Sequence, residues 1–332
     1  MLDETGLWRD VVELPSTLRA TMEEDVEEVA ALVAADGVRR VVASGNGAAY
    51  YVAVALWLAS LESGKGPELV AVPSGLLARG AFAWRPGDVF LAVSSSGEFR
   101  DLVEAVDGGA PTPYGVVTAN AGSTLGARAG ARALVSVPSQ RAVTHTQAFC
   151  GAVVAALRLW AALTADAGLA AALRRLPDEL ELTIGHARAW VDDIGRIDPE
   201  TAVVFGGGPG WAAALEAALL LKEIALVPAE GVETREGATS AMMALGPGAL
   251  ALSLPAGDGD DPLLAEAEAI CAGQGATVIR APGGETTDRR LTAVSTFPAA
   301  AALAARIGLQ RGLDVDRPAW TDAYYRVARR AR

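Results

Sequence analysis

The feature that most constrains the fold is a local pattern that occurs twice, about half the chain apart. In each copy a short apolar run ends in a glycine-containing turn, and a helical stretch follows it. The first copy occupies residues 38–44, 45–47 and 48–61, and the second occupies residues 201–205, 206–208 and 210–224. A strand, a glycine turn and a helix together open an α/β unit. The repeat therefore predicts two copies of one α/β domain.

Further strand-like runs alternate with helical stretches, at residues 68–73, 88–94, 113–118, 132–137, 249–255 and 276–281. This alternation predicts doubly wound parallel sheets. We place an N-terminal helical segment at residues 1–36 and a first α/β domain at 37–173. A connecting helix, with Pro177 in its first turn, follows at 174–198. The second domain, with a C-terminal tail, takes residues 199–332.

Composition and charge limit the class of protein. Hydrophobic residues make up 51% of the chain and charged residues 20%, which excludes intrinsic disorder. The net charge of −12 repels phosphate backbones and anionic lipids, so we expect neither nucleic acid nor a membrane as a partner. No uncharged, strongly apolar run reaches about 18 residues, and the N-terminus lacks a signal-peptide pattern. Cys150 and Cys271 lie among small apolar residues, which indicates free thiols and a cytoplasmic location. No Cys/His cluster has metal-ligand spacing, and we predict no cofactor.

Three turns follow predicted strands, where open parallel sheets bind their ligands. Two are the glycine turns, which lack the full dinucleotide-binding fingerprint. The third contains three serines before a helix predicted at residues 98–105. Its hydroxyls and backbone N–H groups suit phosphate or sugar hydroxyls, and an ordinary helix cap is the alternative. The residues singled out in the first half of the chain are Gly45, Asn46, Gly47, Ser94, Ser95 and Ser96.

Two glutamates on the predicted helix 210–224 are candidates for proton transfer. Glu216 and Glu223 are seven residues apart and share one helix face. Such a carboxylate lies either at a wet edge, which the residues alone favour, or in a pocket that raises its pKa. Residues 227–241, which include Glu236, are predicted as an acidic loop that forms a site wall or a solvated connection. His145 precedes a helix predicted at 146–163, where it could face a ligand.

Taken together, several motifs resemble one known family. They are Ser44-Gly45-Asn46-Gly47, Val93-Ser94-Ser95-Ser96-Gly97-Glu98, Thr146-Gln147-Ala148-Phe149, Ala214-Leu215-Glu216 with Leu221-Lys222-Glu223-Ile224, Ala229-Glu230-Gly231 and the run from Arg311 to Pro318. The chain resembles tandem sugar isomerase (SIS) proteins over about residues 39–320. These include the isomerase half of glucosamine-6-phosphate synthase, phosphosugar deaminases and deglycases. With this resemblance, each domain is expected to be a flavodoxin-like parallel sheet of five strands flanked by helices.

The resemblance implies roles for individual residues. The serine turn would bind the substrate phosphate. Glu223 would transfer a proton between C1 and C2 of an open-chain sugar, in a cleft beside that turn. Glu236 or His145 could assist ring opening. A homodimer with sites near the subunit interface is implied. The rest of the predicted substrate-binding set is Gly45, Asn46, Gly47, Val143 and Glu216.

This sequence departs from the synthase at several positions that the resemblance marks as functional. Leu220 and Ala323 replace lysines, Thr239 replaces a histidine, and Ala49 and Phe99 replace a serine and a threonine near the phosphate. We therefore expect an isomerase, deaminase or deglycase without a glutaminase domain, acting on an amino sugar or a sugar phosphate. The alternative is a protein that binds or senses a sugar phosphate without transforming it.

Overall fold

The chain forms two parallel sheets in a computed structural model that describes residues 2–255, 261–283 and 288–328. The first sheet has the order β2-β1-β3-β4-β5 and the second the order β7-β6-β8-β9, with every pair of neighbours parallel. The predicted α/β class with two parallel sheets is confirmed. The strands are β1 (Arg40–Ser44), β2 (Glu68–Ala71), β3 (Asp88–Val93), β4 (Gly115–Thr118), β5 (Ala131–Leu134), β6 (Thr201–Gly206), β7 (Ala229–Glu233), β8 (Ala249–Ser253) and β9 (Thr277–Arg280).

The helices of the described residues surround these strands. In chain order they are α1 (Gly6–Val12), α2 (Leu14–Glu23), α3 (Glu27–Val33), α4 (Ala48–Ser63), α5 (Ser74–Ala78), α6 (Arg100–Asp107), α7 (Thr124–Arg128), α8 (Gln147–Thr164), α9 (Ala167–Asp193), α10 (Gly210–Ile224), α11 (Thr234–Thr239), α12 (Pro262–Gly273), α13 (Thr292–Ser295), α14 (Phe297–Gln310) and α15 (Thr321–Ala328). Short 3-10 helices add Leu2–Glu4, Ala241–Ala244 and Arg289–Leu291.

The predicted N-terminal helical segment consists of α1, α2 and α3. Two other sequence-based expectations about these elements are wrong. Within the described residues the second sheet has four strands where five were predicted, because the chain from 289 onward is alanine-rich and forms buried helices. Pro177 lies inside α9, since that helix begins at Ala167, where Asp166 accepts a hydrogen bond of 2.9 Å from the N–H of Leu169. Residues 329–332 of the predicted tail lie outside the described part of the chain.

Two compact units contain these sheets, and each is built from separate stretches of the chain. The first-sheet unit consists of Ser16–Pro138, Gln147–Arg174 and Trp320–Arg332. The second-sheet unit consists of Met1–Pro15, Ser139–Thr146 and Arg175–Ala319. The eight residues 139–146 therefore belong to the second-sheet unit, although the residues on either side of them belong to the other. The domain boundaries drawn from the sequence stay a prediction.

Among the residues that the structure describes, two helical stretches are long and apolar enough to cross a membrane. They are Gln147–Thr164 and Arg289–Gln310, and 78% and 94% of their apolar windows are buried within the protein. Core helices have this property, because a helix that is apolar on most faces is buried by the rest of its domain.

Candidate functional site

Helix α10 carries the two glutamates, and its predicted bounds are confirmed. It packs against β6 and β7 on one side and against α13 and α14 on the other. Leu220 and Leu221 are 0% and 1% exposed, whereas Lys222 is exposed. A lysine at position 220 would project from the buried face of α10, whereas Lys222 lies on its exposed face. Lys222 therefore cannot replace the lysine that the resemblance leads us to expect at position 220.

Glu216 is buried in this packing, with 2% of its surface exposed. The wet-edge interpretation is therefore wrong for Glu216, because neighbours distant in sequence cover that face of α10. Burial raises the pKa of Glu216 well above its usual value, and the nearby Glu223 carboxylate adds to the increase. The Oε2 atom of Glu216 has no hydrogen-bond partner among the described residues. These conditions favour the neutral carboxylic acid over the carboxylate.

Glu223 lies one heptad further along α10 and is only partly buried. Burial raises the pKa of Glu223 to about 7, while the side chain of Thr144 and the charge of Lys222 both act to lower it. A carboxyl group with a pKa near the working pH is present in both protonation states, as a group that removes and returns a proton must be. Burial raises the pKa of this carboxyl group in the direction expected of a pocket, and a pocket at Glu223 stays a prediction.

Thr144 was not singled out by the sequence, although it directly precedes His145. It lies in the stretch Ser139–Thr146, and its side chain is 2% exposed. His145 is partly buried, and burial lowers the pKa of its imidazole, so the ring is neutral at pH 7. Val143 is partly buried, and its N–H donates to the backbone oxygen of Asp316 at 2.9 Å.

The acidic stretch after α10 is not a loop. Residues Ala229–Glu233 form β7, which pairs with β6, and residues Thr234–Thr239 form α11. Glu233 caps α11, accepting from the N–H groups of Arg235 and Glu236 at 2.8 and 3.2 Å. Glu236 and Thr239 are exposed on this short helix. The proposed part of Glu236 in ring opening stays a prediction.

The first glycine turn lies at the carboxyl end of β1 and is closely packed. A Cβ atom on Gly45 would lie 2.3 Å from the carbonyl carbon of Ala49, so only glycine fits there. Gly47, which precedes α4, has a φ of 55°. The amide of Asn46 donates to the Ser74 hydroxyl at 3.4 Å, and that hydroxyl donates to Asp101 at 3.3 Å.

The serine turn precedes its helix, because α6 begins at Arg100 and not at the predicted residue 98. The Ser94 hydroxyl accepts from the Gly97 N–H at 3.1 Å, and the Ser96 hydroxyl accepts from the Glu98 N–H at 3.3 Å. Ser95 is partly buried, and its backbone oxygen accepts from the Thr118 hydroxyl at 3.2 Å. A Cβ on Gly97 would lie 1.9 Å from the Ser123 Oγ, so glycine is required. The hydroxyls of Ser94 and Ser96 therefore accept hydrogen bonds from the backbone of their own turn, and Ser94 is buried.

The two turns themselves contain no basic residue, since residues 44–49 and 94–99 include neither lysine nor arginine. Arg100 follows directly, as the first residue of α6. Phe99 packs against the apolar core of the first sheet.

The predicted site residues fall into two sets. Glu216, Glu223, Glu236, Val143 and His145 belong to the second-sheet unit, where the charge of Glu223 raises the pKa of Glu216. The glycine and serine turns belong to the first-sheet unit. That Glu223 shares a cleft with the serine turn stays a prediction.

No family model matches the chain. A protein of Schizosaccharomyces pombe that is assigned as a glutamine–fructose-6-phosphate aminotransferase (isomerizing) is 26% identical over 250 residues, which are 68% of this chain and 35% of that protein. The chain thus spans about a third of the length of this relative.

Solved structures resemble the chain over almost its whole length. One is a Silicibacter pomeroyi protein assigned as a phosphosugar isomerase, with 24% identity, a TM-score of 0.76 and coverage of 94% of this chain and 100% of that one. Another is a glucosamine-6-phosphate deaminase from Thermotoga maritima, with 17% identity, a TM-score of 0.77 and coverage of 95% and 98%. The resemblance stated from the sequence is therefore confirmed, and the chain has the tandem SIS fold of phosphosugar isomerases and deaminases.

Proposed function

We propose that the protein is an enzyme that transfers a proton between C1 and C2 of an open-chain sugar, with Glu223 as the base. The observation that carries the proposal is the environment of Glu223. Its partly buried carboxyl group, beside Thr144, has a pKa of about 7. A general base with such a pKa operates efficiently at neutral pH.

The proposed reaction begins with the open-chain sugar. The Glu223 carboxylate removes the proton from C2 of an aldose, or from C1 of a ketose, while the carbonyl oxygen gains a proton, and an enediol forms. Glu223 then returns its proton to the other carbon, and the hydroxyl on the carbon that was first deprotonated loses its proton and becomes the new carbonyl group. Where an amino group stands in place of that hydroxyl, the same transfer gives an imine, to which water adds, and the nitrogen leaves as ammonia or a free amine. The neutral imidazole of His145 is proposed to assist ring opening.

The proposed substrate class is an amino sugar or its phosphate. The names of the similar proteins support a phosphorylated hexose, and the serine turn supplies donors that suit hydroxyl or phosphate oxygens. We propose that the protein binds this sugar as a homodimer, with a second copy of the chain as its partner. The proposed location is the cytoplasm.

The test is deuterium exchange at C2. A thermal-shift screen of sugar phosphates, amino sugars and their free forms first identifies a ligand, because a ligand that binds only the folded state raises its stability. NMR in D2O then follows loss of the C2 proton of that ligand. Glu223→Gln should reduce the exchange rate by about 10²–10⁴, as expected on removal of a general base.

Glu230→Gln is the matched control, since Glu230 is an exposed carboxylate on β7 and should leave the rate unchanged. Exchange that survives in Glu223→Gln within a factor of a few would contradict the mechanism. A ligand that binds while the wild-type protein exchanges no deuterium would favour the sensing alternative.

A further inference from the structure

Helix α10 ends in a backbone conformation that its residue type disfavours. The helix ends at Ile224, and Leu226 then adopts a φ of 53°, in the left-handed region. A Cβ atom crowds the backbone in this region, where glycine is the usual residue. Among the described residues, only Ala165 is also a non-glycine residue with a positive φ. Leu226 is 51% exposed, so the packing of its side chain does little to offset the strain.

This strained residue closes the end of the helix. The N–H groups of Ala225 and Val227 both donate to the backbone oxygen of Leu221, at 3.2 and 3.0 Å. A left-handed residue just after a helix commonly turns the chain back in this way, so that later N–H groups satisfy carbonyl oxygens of the last turn. Glu223 lies inside that turn. The direction of its side chain therefore depends on the closed helix end.

Arg311 holds the closed end through the carbonyl groups that follow the helix. Its Nη1 donates to the backbone oxygens of Ala225 at 2.9 Å and Leu226 at 3.3 Å. Its Nη2 donates to the backbone oxygen of Pro199 at 2.7 Å, and its Nε donates to the carboxylate of Asp198 at 2.7 Å. The planar guanidinium thus links the end of α10 to the stretch that precedes β6. All of these residues belong to the second-sheet unit.

Helix α14 places Arg311 against this helix end. Arg311 directly follows α14, and Gly308 lies three residues earlier on that helix. A Cβ atom on Gly308 would lie 2.7 Å from the backbone oxygen of Ile224, so the two helices approach closely there. Residues 224, 225 and 226 are therefore each in contact with α14 or with the residue that follows it.

Backbone strain persists only where the surrounding contacts outweigh it, and such strain is concentrated at functional sites. Here those contacts include the two guanidinium bonds of Arg311. Without them, Leu226 could relax to a favoured φ. The N–H groups of Ala225 and Val227 would then leave Leu221, and the last turn of α10 would open.

Resting on the proposed function of Glu223, we propose that Arg311 is a positioning residue, which keeps the last turn of α10 closed and so holds the Glu223 carboxyl group in the orientation that the reaction needs. Arg311 is paired with Asp198, and the positive charge that acts on Glu223 is that of Lys222. Arg311 therefore acts through the backbone and not through its charge.

Arg311→Met tests the proposal with two NMR readouts that need no ligand. The amides of Ala225 and Val227 should exchange with D2O at least about tenfold faster, because their bonds to Leu221 open more often. The pKa of Glu223 should fall from about 7, by about 0.5–1 pH unit, because an opened turn exposes the carboxyl group to water. With glucosamine 6-phosphate as the probe, kcat for C2 exchange should fall about 10- to 100-fold while KM changes less.

Leu226→Gly provides a rescue that a merely structural role would not show. Glycine adopts a positive φ without strain, so the helix end should close again without the guanidinium. The double variant Arg311→Met with Leu226→Gly should therefore regain most of the lost amide protection and most of the Glu223 titration midpoint. If Arg311→Met does not fold, Arg311→Lys replaces it. Lysine keeps the charge but lacks the planar fork, and it should give a smaller fall in the same direction.

The matched control is Arg158→Met in the first-sheet unit. The Nη1 of Arg158 donates to the backbone oxygens of Thr21 and Glu24, at 2.8 and 2.9 Å, near the end of α2. Its loss removes a similar arginine cap and should leave the Glu223 titration unchanged.

Three results would overturn the proposal. They are a Glu223 pKa that stays the same or rises in folded Arg311→Met, an equal fall in Arg158→Met, and no recovery with Leu226→Gly. If the wild-type protein exchanges no C2 deuterium, the proposed function fails, whereas the titration still decides whether Arg311 holds Glu223.

Discussion

At the scale of single residues, α10 shows how one helix gives two identical side chains different acid strengths. Glu216 has an almost completely buried carboxyl group, and Glu223 lies seven residues later at a partly exposed position. Burial thus raises the pKa of both carboxyl groups, that of Glu216 well above its usual value and that of Glu223 to about 7. Two carboxyl groups with separated pKa values are a common arrangement in acid–base sites.

This difference predicts a pH-dependent effect of Glu216→Gln on stability. Because the folded pKa of Glu216 lies well above the value of 4.5 for an unperturbed glutamate, folding binds a proton that the unfolded chain releases. Stability is therefore full at low pH and is lost as the pH rises through the folded pKa. Glutamine resembles the neutral acid and cannot ionise. We expect wild type and variant to unfold with similar free energies at about pH 4, and the variant to be more stable by about 1 kcal/mol or more at about pH 9.

Urea denaturation at the two pH values measures this effect. The exposed Glu230 supplies the control, since Glu230→Gln should give the same small difference at both. A stability difference for Glu216→Gln that does not change between the two pH values would show that the carboxyl group is not held neutral.

At the scale of elements, Gly231 on β7 sets how closely that strand approaches α10. A Cβ atom at this position would lie 2.4 Å from the backbone oxygen of Ala214 and 2.6 Å from the Cα of Leu215. Gly231→Ala should therefore push the strand away from the helix that carries both glutamates. We expect a loss of about 1–3 kcal/mol in unfolding free energy, together with slower C2 exchange.

The matched control is Gly185→Ala in α9. Gly185 is exposed inside that helix, and a Cβ atom there would meet nothing within 4 Å. This variant should be more stable by about 0.5–1 kcal/mol, because alanine restricts the unfolded chain more than glycine does. Thermal or urea unfolding compares the two variants, and equal effects would refute the close-approach explanation.

The same elements show how far the sequence predicts the structure. Strand β6, its glycine turn and α10 were predictable, because the apolar run, the glycines and the helical stretch are local signals. Strand β7 could not be predicted in this way, because Ala229–Glu233 is a polar strand at the edge of the described sheet. Val232 is its one buried side chain. The burial of Glu216 was also missed, because it depends on neighbours distant in sequence. Nor could any local pattern predict that Arg311 bonds to residues 225 and 226.

At the scale of the whole molecule, the net charge of −12 acts on any anionic substrate. A sugar phosphate is repelled at long range, and added salt screens that repulsion. The Debye length falls from about 30 Å to about 8 Å between 0.01 and 0.15 M ionic strength. Calorimetry should therefore show tighter binding of glucosamine 6-phosphate as salt is added over this range, and weaker or unchanged binding of cationic glucosamine. The opposite trend for the phosphate would indicate that a local basic site outweighs the global charge.

The second-sheet unit draws on three separate stretches of the chain, and this limits how the protein can be divided. A fragment that begins at residue 199 would contain Glu223 but would leave behind residues 1–15 and 139–146 of the same unit. Although the two halves follow the same architectural plan, neither is a transferable module. Fusion and split-protein designs should therefore keep the two termini and residues 139–146 in one polypeptide.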